Sequence, residues 1–136
     1  MENTNWQKIT HVGSSLAAKE GQFAMFVGRW QPLHLGHQTL FKQALDEGKN
    51  VLICIRDIEP DEKNPFSANE VKGNIEEHYA DEISLGRVKV MVIPDICSIE
   101  FGRGVGYDII ERVPPQQIGE ISATKIREEM KRRGEL

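Results

Sequence analysis

An α/β domain built on a doubly wound parallel sheet of four to five strands is what this sequence predicts, on three observations. Apolar runs and amphipathic segments alternate in the order strand, helix, strand, helix, strand. The run Phe23–Val27 is apolar on both faces, as a central parallel strand is, and Val51–Ile55 and Val88–Ile93 read as a second and a third strand. Each stops at a loop of glycine, proline or polar residues, at the strand ends where parallel sheets bind ligands.

The elements follow in chain order. Residues 1–21 lack strong periodicity, beyond a short helical stretch at Ser15–Glu20, and read as a loosely attached N-terminal extension to a domain spanning 22–136. Phe23–Val27 is the first strand, ended by Gly28-Arg29. From His37 to Glu47, Leu40, Phe41, Ala44 and Leu45 recur at helical spacing, and Gly48 follows as a C-cap. Val51–Ile55 is the second strand, and a polar loop runs from Asp57 to Asn64. Ser67 and Glu70 form a capping-box pattern for a helix from about Ala68 to Tyr79. Val88–Ile93 is the third strand, closed by Pro94-Asp95. Gly102, Gly104 and Gly106 break any helix, and Tyr107–Val113 reads as a fourth strand ended by Pro114-Pro115. Ser122 opens a terminal helix through Arg132.

The 136 residues suffice for one domain with a substantial core. A formal net charge of −4 argues against a broad nucleic-acid partner, without excluding a local basic pocket. Cys54 and Cys97 each adjoin an apolar run and read as buried thiols. The N-terminus has no basic segment followed by an apolar one, and no apolar stretch reaches bilayer length. A cytoplasmic protein with no membrane partner is expected.

Chemistry concentrates in two segments. The first is Gly28-Arg-Trp-Gln-Pro-Leu-His-Leu-Gly-His37, where Gly36 lies between His34 and His37 and the second histidine opens the helix. A helix N-terminus carries unpaired N–H groups and partial positive charge, so it attracts phosphate. Gly36 lets backbone approach an anion closely, and imidazoles there donate to phosphate oxygens as charge builds during transfer. His-x-Gly-His alone also fits a loop histidine beside a capping one. Its place after a buried strand and before an amphipathic helix favours the phosphate reading. His11 and His78 stand in no ligand spacing with this pair, so no protein-held metal is expected.

The second segment is Ile121-Ser-Ala-Thr-Lys-Ile-Arg127. Ser122 and Thr124 bring hydroxyls to a helix start, and Lys125 and Arg127 bring positive charge. Alone it reads equally as an N-cap followed by a solvated helix. Two such helix ends in one small domain suit a triphosphate. Three further residues carry two readings each. Trp30 stacks on a base or nicotinamide ring, or covers the core edge. Lys42, one turn into the first helix, reaches a phosphate or is solvated. Arg103 contacts phosphate or acceptor, or is solvated.

Together, the His-x-Gly-His and Ile-Ser-x-Thr-x-Ile-Arg phrases resemble the signatures of the nucleotidylyltransferase superfamily, over Phe23 to about Lys131. The Gly28–His37 phrase, Asn64-Pro-Phe-Ser67 and Ile93-Pro-Asp-Ile96 are similar to the archaeal-type nicotinamide-mononucleotide adenylyltransferases. The resemblance implies a Rossmann-like sheet and a transfer reaction. A nucleoside monophosphate, AMP favoured, passes from ATP or CTP to a small phosphorylated acceptor such as nicotinamide mononucleotide, and pyrophosphate leaves. It implies that His34 and His37 bind the triphosphate and stabilise the transition state at the α-phosphorus. Ser122, Thr124 and Arg127 would hold the β- and γ-phosphates, with Lys125 beside them, while Gly28, Arg29 and Gly36 shape the nucleotide pocket. Mg²⁺ would ride on the triphosphate, and a homo-oligomer is expected.

One departure bears on specificity. Family members carry a further strand and helix before the second signature, whereas here Ser98–Tyr107 fills a short interval. The acceptor, and ATP against CTP, therefore stay open. A cytidylyltransferase acting on a phosphorylated alcohol is the close second reading. A class I aminoacyl-tRNA synthetase fragment is disfavoured by length and charge. A catalytically silent nucleotide-binding module is disfavoured by the presence of both histidines and both hydroxyls.

Overall fold

Three parallel strands form the centre of the computed structural model, which describes residues 7–12, 22–102, 107–112 and 123–135. They are β2 (Phe23–Gly28), β3 (Asn50–Asp57) and β4 (Val88–Pro94), side by side in that order. The register sets Phe26 beside Ile53 and Ile53 beside Val90. Because side chains alternate across a pleated sheet, Ala24, Phe26, Val51, Ile53, Ile55, Val88, Val90 and Val92 share one face. Helix α1 (Leu35–Asp46) brings Phe41 and Ala44 onto that face, and α2 (Ala68–His78) brings Ala68, Val71 and Ile75. Two successive right-handed crossovers that step the same way along a sheet place both helices on one side, as here. On the opposite face Phe23, Met25 and Met91 are exposed.

Phe41 anchors the core. It is fully buried and meets Phe26, Trp30 and Tyr79 edge-on, at ring separations of 5.0, 5.2 and 6.0 Å. Such pairs add directional preference to ordinary apolar burial.

Helix boundaries depart from the sequence reading where caps decide them. α1 starts at Leu35, two residues before His37, because the His34 side chain supplies the N-cap. Its far end is as expected: Gly48 follows with φ +87°, a left-handed turn that glycine adopts without a Cβ penalty. α2 is capped by Ser67 and Glu70 as the pattern predicts, with bonds of 3.1 and 3.2 Å. A short α3 (Ala80–Ser84), absent from the sequence reading, continues past Tyr79 and leads the chain back to β4.

The fourth strand read from the sequence exists, but not in the parallel sheet. β5 (Tyr107–Arg112) pairs antiparallel with β1 (Gln7–Val12), from Gln7 opposite Arg112 to Val12 opposite Tyr107. β1 lies in the stretch read as an extension; its residues alternate too weakly to announce a strand without the partner. A two-stranded ribbon is marginal alone. Arg112 ties this one down, forking onto Glu47 at 2.9 and 2.8 Å and onto Gln43 at 3.0 Å, both from the C-terminal end of α1.

The Arg112 bonds, assisted by Lys49 and opposed by burial, hold the Glu47 carboxyl down at about 2. A lowered carboxylate pKa stabilises the fold in full above the usual 4.5, and that contribution is lost as pH falls toward 2. Arg112→Ala is therefore expected to cost about 1–3 kcal/mol at neutral pH in urea unfolding, the upper end discounted because Glu47 is partly exposed. The same comparison at about pH 3 should show a smaller cost.

The remaining expectations divide. Cys54 is buried, and burial pushes its thiol pKa up, but Cys97 is exposed. Cys97 lies beyond Pro94, in a loop that also exposes Ile99 and Phe101, so its apolar neighbours in sequence do not cover it. Among the described residues no helix is long and apolar enough to cross a membrane.

Candidate active site

All three parallel strands end at one edge of the sheet, and the loop after β2 turns there into α1. Two histidines build the turn. His34 Nδ1 accepts from the Gly36 N–H at 3.0 Å, and His37 Nδ1 accepts from the His34 N–H at 3.3 Å. The result is a capping box made of imidazoles, with the rings stacked at 3.7 Å. A nitrogen that accepts carries no proton, so both rings are fixed as the Nε2–H tautomer. Each keeps one further ring donor, Nε2–H. Burial lowers the His34 pKa; burial, then the neighbouring His34, takes His37 down to about 4. Both are neutral at pH 7 and donate without a net charge of their own. Gly36 is buried in the first turn between them.

Trp30 sits beneath this pair with φ +51°. Its indole N–H donates to the Cys54 carbonyl at 3.0 Å, and its ring meets His37 edge-on at 4.8 Å. With 7% exposure and its donor engaged, Trp30 covers the core edge and packs against His37. Gly28 makes this possible, because a Cβ there would stand 3.0 Å from the Trp30 ring. The glycine thus acts on the site through the tryptophan.

The loop is locked from the side by Gln31, which is buried. Its carboxamide donates to the Phe66 carbonyl at 2.8 Å and accepts from the Phe66 N–H at 3.0 Å. Phe66 follows a turn in which the Asp61 carboxylate receives the N–H groups of Lys63 and Asn64. The Asn64 bonds, foremost, lower the Asp61 pKa, and Arg29, which is exposed, contributes least.

The second segment arrives here as well. Helix α4 (Ala123–Arg132) places Arg127 so that Nη1 donates to the Gln31 carbonyl at 2.5 Å and Nη2 to Thr124 Oγ1 at 3.2 Å. Residues 96 positions apart in sequence thus share one junction. Thr124 and Lys125 are exposed beside it. Ser122 and Arg103, both expected in the site, lie outside the described residues. Lys42 does not join the site: it pairs with Asp46 at 2.7 Å, one turn on along the exposed side of α1, which is the solvated reading.

Two features escaped sequence reasoning. Arg56, at the end of β3, bonds Asp95 through Nε at 2.8 Å and the Ile96 carbonyl at 3.2 Å, bracing the turn after β4. A lone arginine ending an apolar strand was the available signal. Beside the same sheet edge a pocket of about 150 Å³ opens between the end of β3 and the start of α2, with Asp57, Glu59, Ser67 and Asn69 in its wall. Among the described residues no three His, Cys, Asp or Glu side chains converge as a metal-binding group.

The fold is a parallel α/β sheet with an imidazole-capped helix at the carboxyl edge of its strands, and sequence comparison shows what it is similar to. Residues 25–89 match the family model described as Cytidylyltransferase-like. The chain is 37% identical over 67 residues to a nicotinamide-nucleotide adenylyltransferase of Methanolobus tindarius, covering 42% of this chain and 39% of that one. It is 36% identical over 73 residues to nicotinamide-nucleotide adenylyltransferase 1 of Sulfolobus acidocaldarius, covering 52% and 41%. Over this part of its length the chain is similar to members of the nucleotidylyltransferase superfamily. It spans about two fifths of the length of these curated relatives. A bifunctional NMN adenylyltransferase/ADP ribose pyrophosphatase from Francisella tularensis aligns in structure with a TM-score of 0.49 at 35% identity, over 55% of this chain and 23% of that one.

Proposed function

We propose that this chain transfers a nucleoside monophosphate, AMP in preference, from a nucleoside triphosphate to a small phosphorylated acceptor such as nicotinamide mononucleotide. An acceptor phosphate oxygen bonds to the α-phosphorus while the bond from that phosphorus to the bridging oxygen breaks, and pyrophosphate leaves. The observation that carries this reading is the Arg127–Gln31 contact, which sets a cationic helix start against the histidine loop. Nε2–H of His34 and His37 meets charge growing at the α-phosphate, and Arg127, Thr124, Lys125 and Ser122 take the outer phosphates. Mg²⁺ accompanies the triphosphate and neutralises part of its charge. The acceptor takes the pocket between β3 and α2, whose carboxylates suit hydroxyl or amide donors on its non-phosphate end.

The adenylyltransferase names of the relatives support ATP and nicotinamide mononucleotide. The Cytidylyltransferase-like description over 25–89 favours a second reading, CTP with a phosphorylated alcohol. Pyrophosphate release measured with ATP and CTP against nicotinamide mononucleotide and glycerol phosphate separates them. Triphosphate binding without release from any pair would overturn both and leave a silent binding module.

A further inference from the structure

The geometry points to Gln31 as a positioning residue that latches the acceptor side of the site to the triphosphate side. This rests on the proposed transfer reaction. Gln31 and Asn64 are the buried polar side chains among the described residues, and they belong to the two loops that the latch joins. The Gln31 carboxamide satisfies both backbone groups of Phe66, at 2.8 and 3.0 Å, as a paired strand would. Phe66 immediately precedes Ser67, which caps α2 and lines the pocket beside β3. On its other side Gln31 offers its main-chain carbonyl to Arg127. One residue therefore fixes the 61–67 loop against the histidine turn and supports the helix that would hold the outer phosphates. Displacing the loop shifts the acceptor relative to the α-phosphate, and a misplacement of about 1 Å can cost about 100-fold in rate.

The decisive substitution is Gln31→Glu, which keeps shape and the oxygen that accepts from Phe66 N–H. It replaces the donor with a carboxylate oxygen facing the Phe66 carbonyl, so the latch is repelled when ionised and restored when the carboxyl takes a proton. At about pH 8 the variant is expected to lose about 100-fold in kcat/KM for the acceptor, with the triphosphate KM changed less than about threefold. At about pH 5.5 the gap to the unsubstituted chain should narrow by about tenfold or more. Amide exchange at residues 64–67, measured on the full chain, should quicken at the higher pH and slow again at the lower. Gln31→Met, neutral at every pH, should show the loss without the recovery.

Recovery in Gln31→Met as well, a loss falling equally on both substrates, or unchanged exchange at 64–67 would overturn the latch. So would global unfolding of both variants, which would make Gln31 a general core residue. If the unsubstituted chain releases no pyrophosphate from any substrate pair, the proposed reaction falls, and the exchange measurement alone decides the latch.

Discussion

His37→Ala is expected to lower turnover of pyrophosphate release about 100- to 1,000-fold while the chain stays folded. The magnitude is that of removing one fixed donor from developing charge. His37 is the better-held of the pair: Trp30 packs its ring edge, His34 stacks on its face, and its Nδ1 is engaged by the His34 N–H. That leaves Nε2–H with little freedom to reorganise when the triphosphate arrives. The structural cost is one capping bond at the helix start and two ring contacts, about 1–3 kcal/mol in thermal or urea unfolding. A folded His37→Ala protein with ordinary turnover would remove His37 from the chemistry. The pH dependence has a definite sign. Because the His37 pKa falls from 6.5 to about 4, its contribution to stability is complete above 6.5 and is lost as pH drops toward 4. The physical event is protonation of Nδ1, which abolishes the acceptor for His34 N–H. Urea unfolding across that window should therefore show a steeper loss for the unsubstituted chain than for His37→Ala.

What the sequence made legible was governed by local rules. β3 was readable because a strand covered on both faces is apolar along Val51–Ile55, and α2 because Ser67 and Glu70 cap through neighbours. The start of α1 was missed because histidine is an uncommon N-cap, and nothing local shows that the His34 imidazole turns back on Gly36. β1 was missed for a different reason: its pairing with β5 spans nearly the whole chain, and the Arg112 fork onto Glu47 that anchors the ribbon is equally non-local. In the candidate site, His34, His37 and Arg127 were singled out by residue type and motif. Gln31 was not singled out, because a glutamine in a loop has no distinguishing chemistry until burial gives both ends of its amide a partner. Trp30 and Lys42 show the converse. Each has suitable chemistry, and each is engaged by a nearer protein group, the Cys54 carbonyl and Asp46.

Arg127→Ala should weaken the triphosphate side selectively, lowering kcat/KM for the triphosphate about 10- to 100-fold, while the acceptor KM at saturating triphosphate changes little. A guanidinium carries five N–H donors in a rigid plane. Two of Arg127's serve Gln31 and Thr124, so the fork is oriented by the protein, and the remaining three are available to phosphate oxygens without a further loss of side-chain freedom. The expected loss corresponds to about 1.5–3 kcal/mol, the worth of a hydrogen bond to a charged group. Arg127→Lys separates charge from geometry. An ammonium keeps the positive charge but cannot span Gln31, Thr124 and a phosphate at once, so most of the loss should persist. Raised salt supplies a second check: screening should weaken triphosphate binding in the unsubstituted chain more than in Arg127→Ala. Full recovery in Arg127→Lys would reduce the role to bare charge. An unchanged triphosphate kcat/KM in a folded Arg127→Ala protein would detach α4 from the polyphosphate altogether, and with it the reason for two helix ends to meet at the histidine loop.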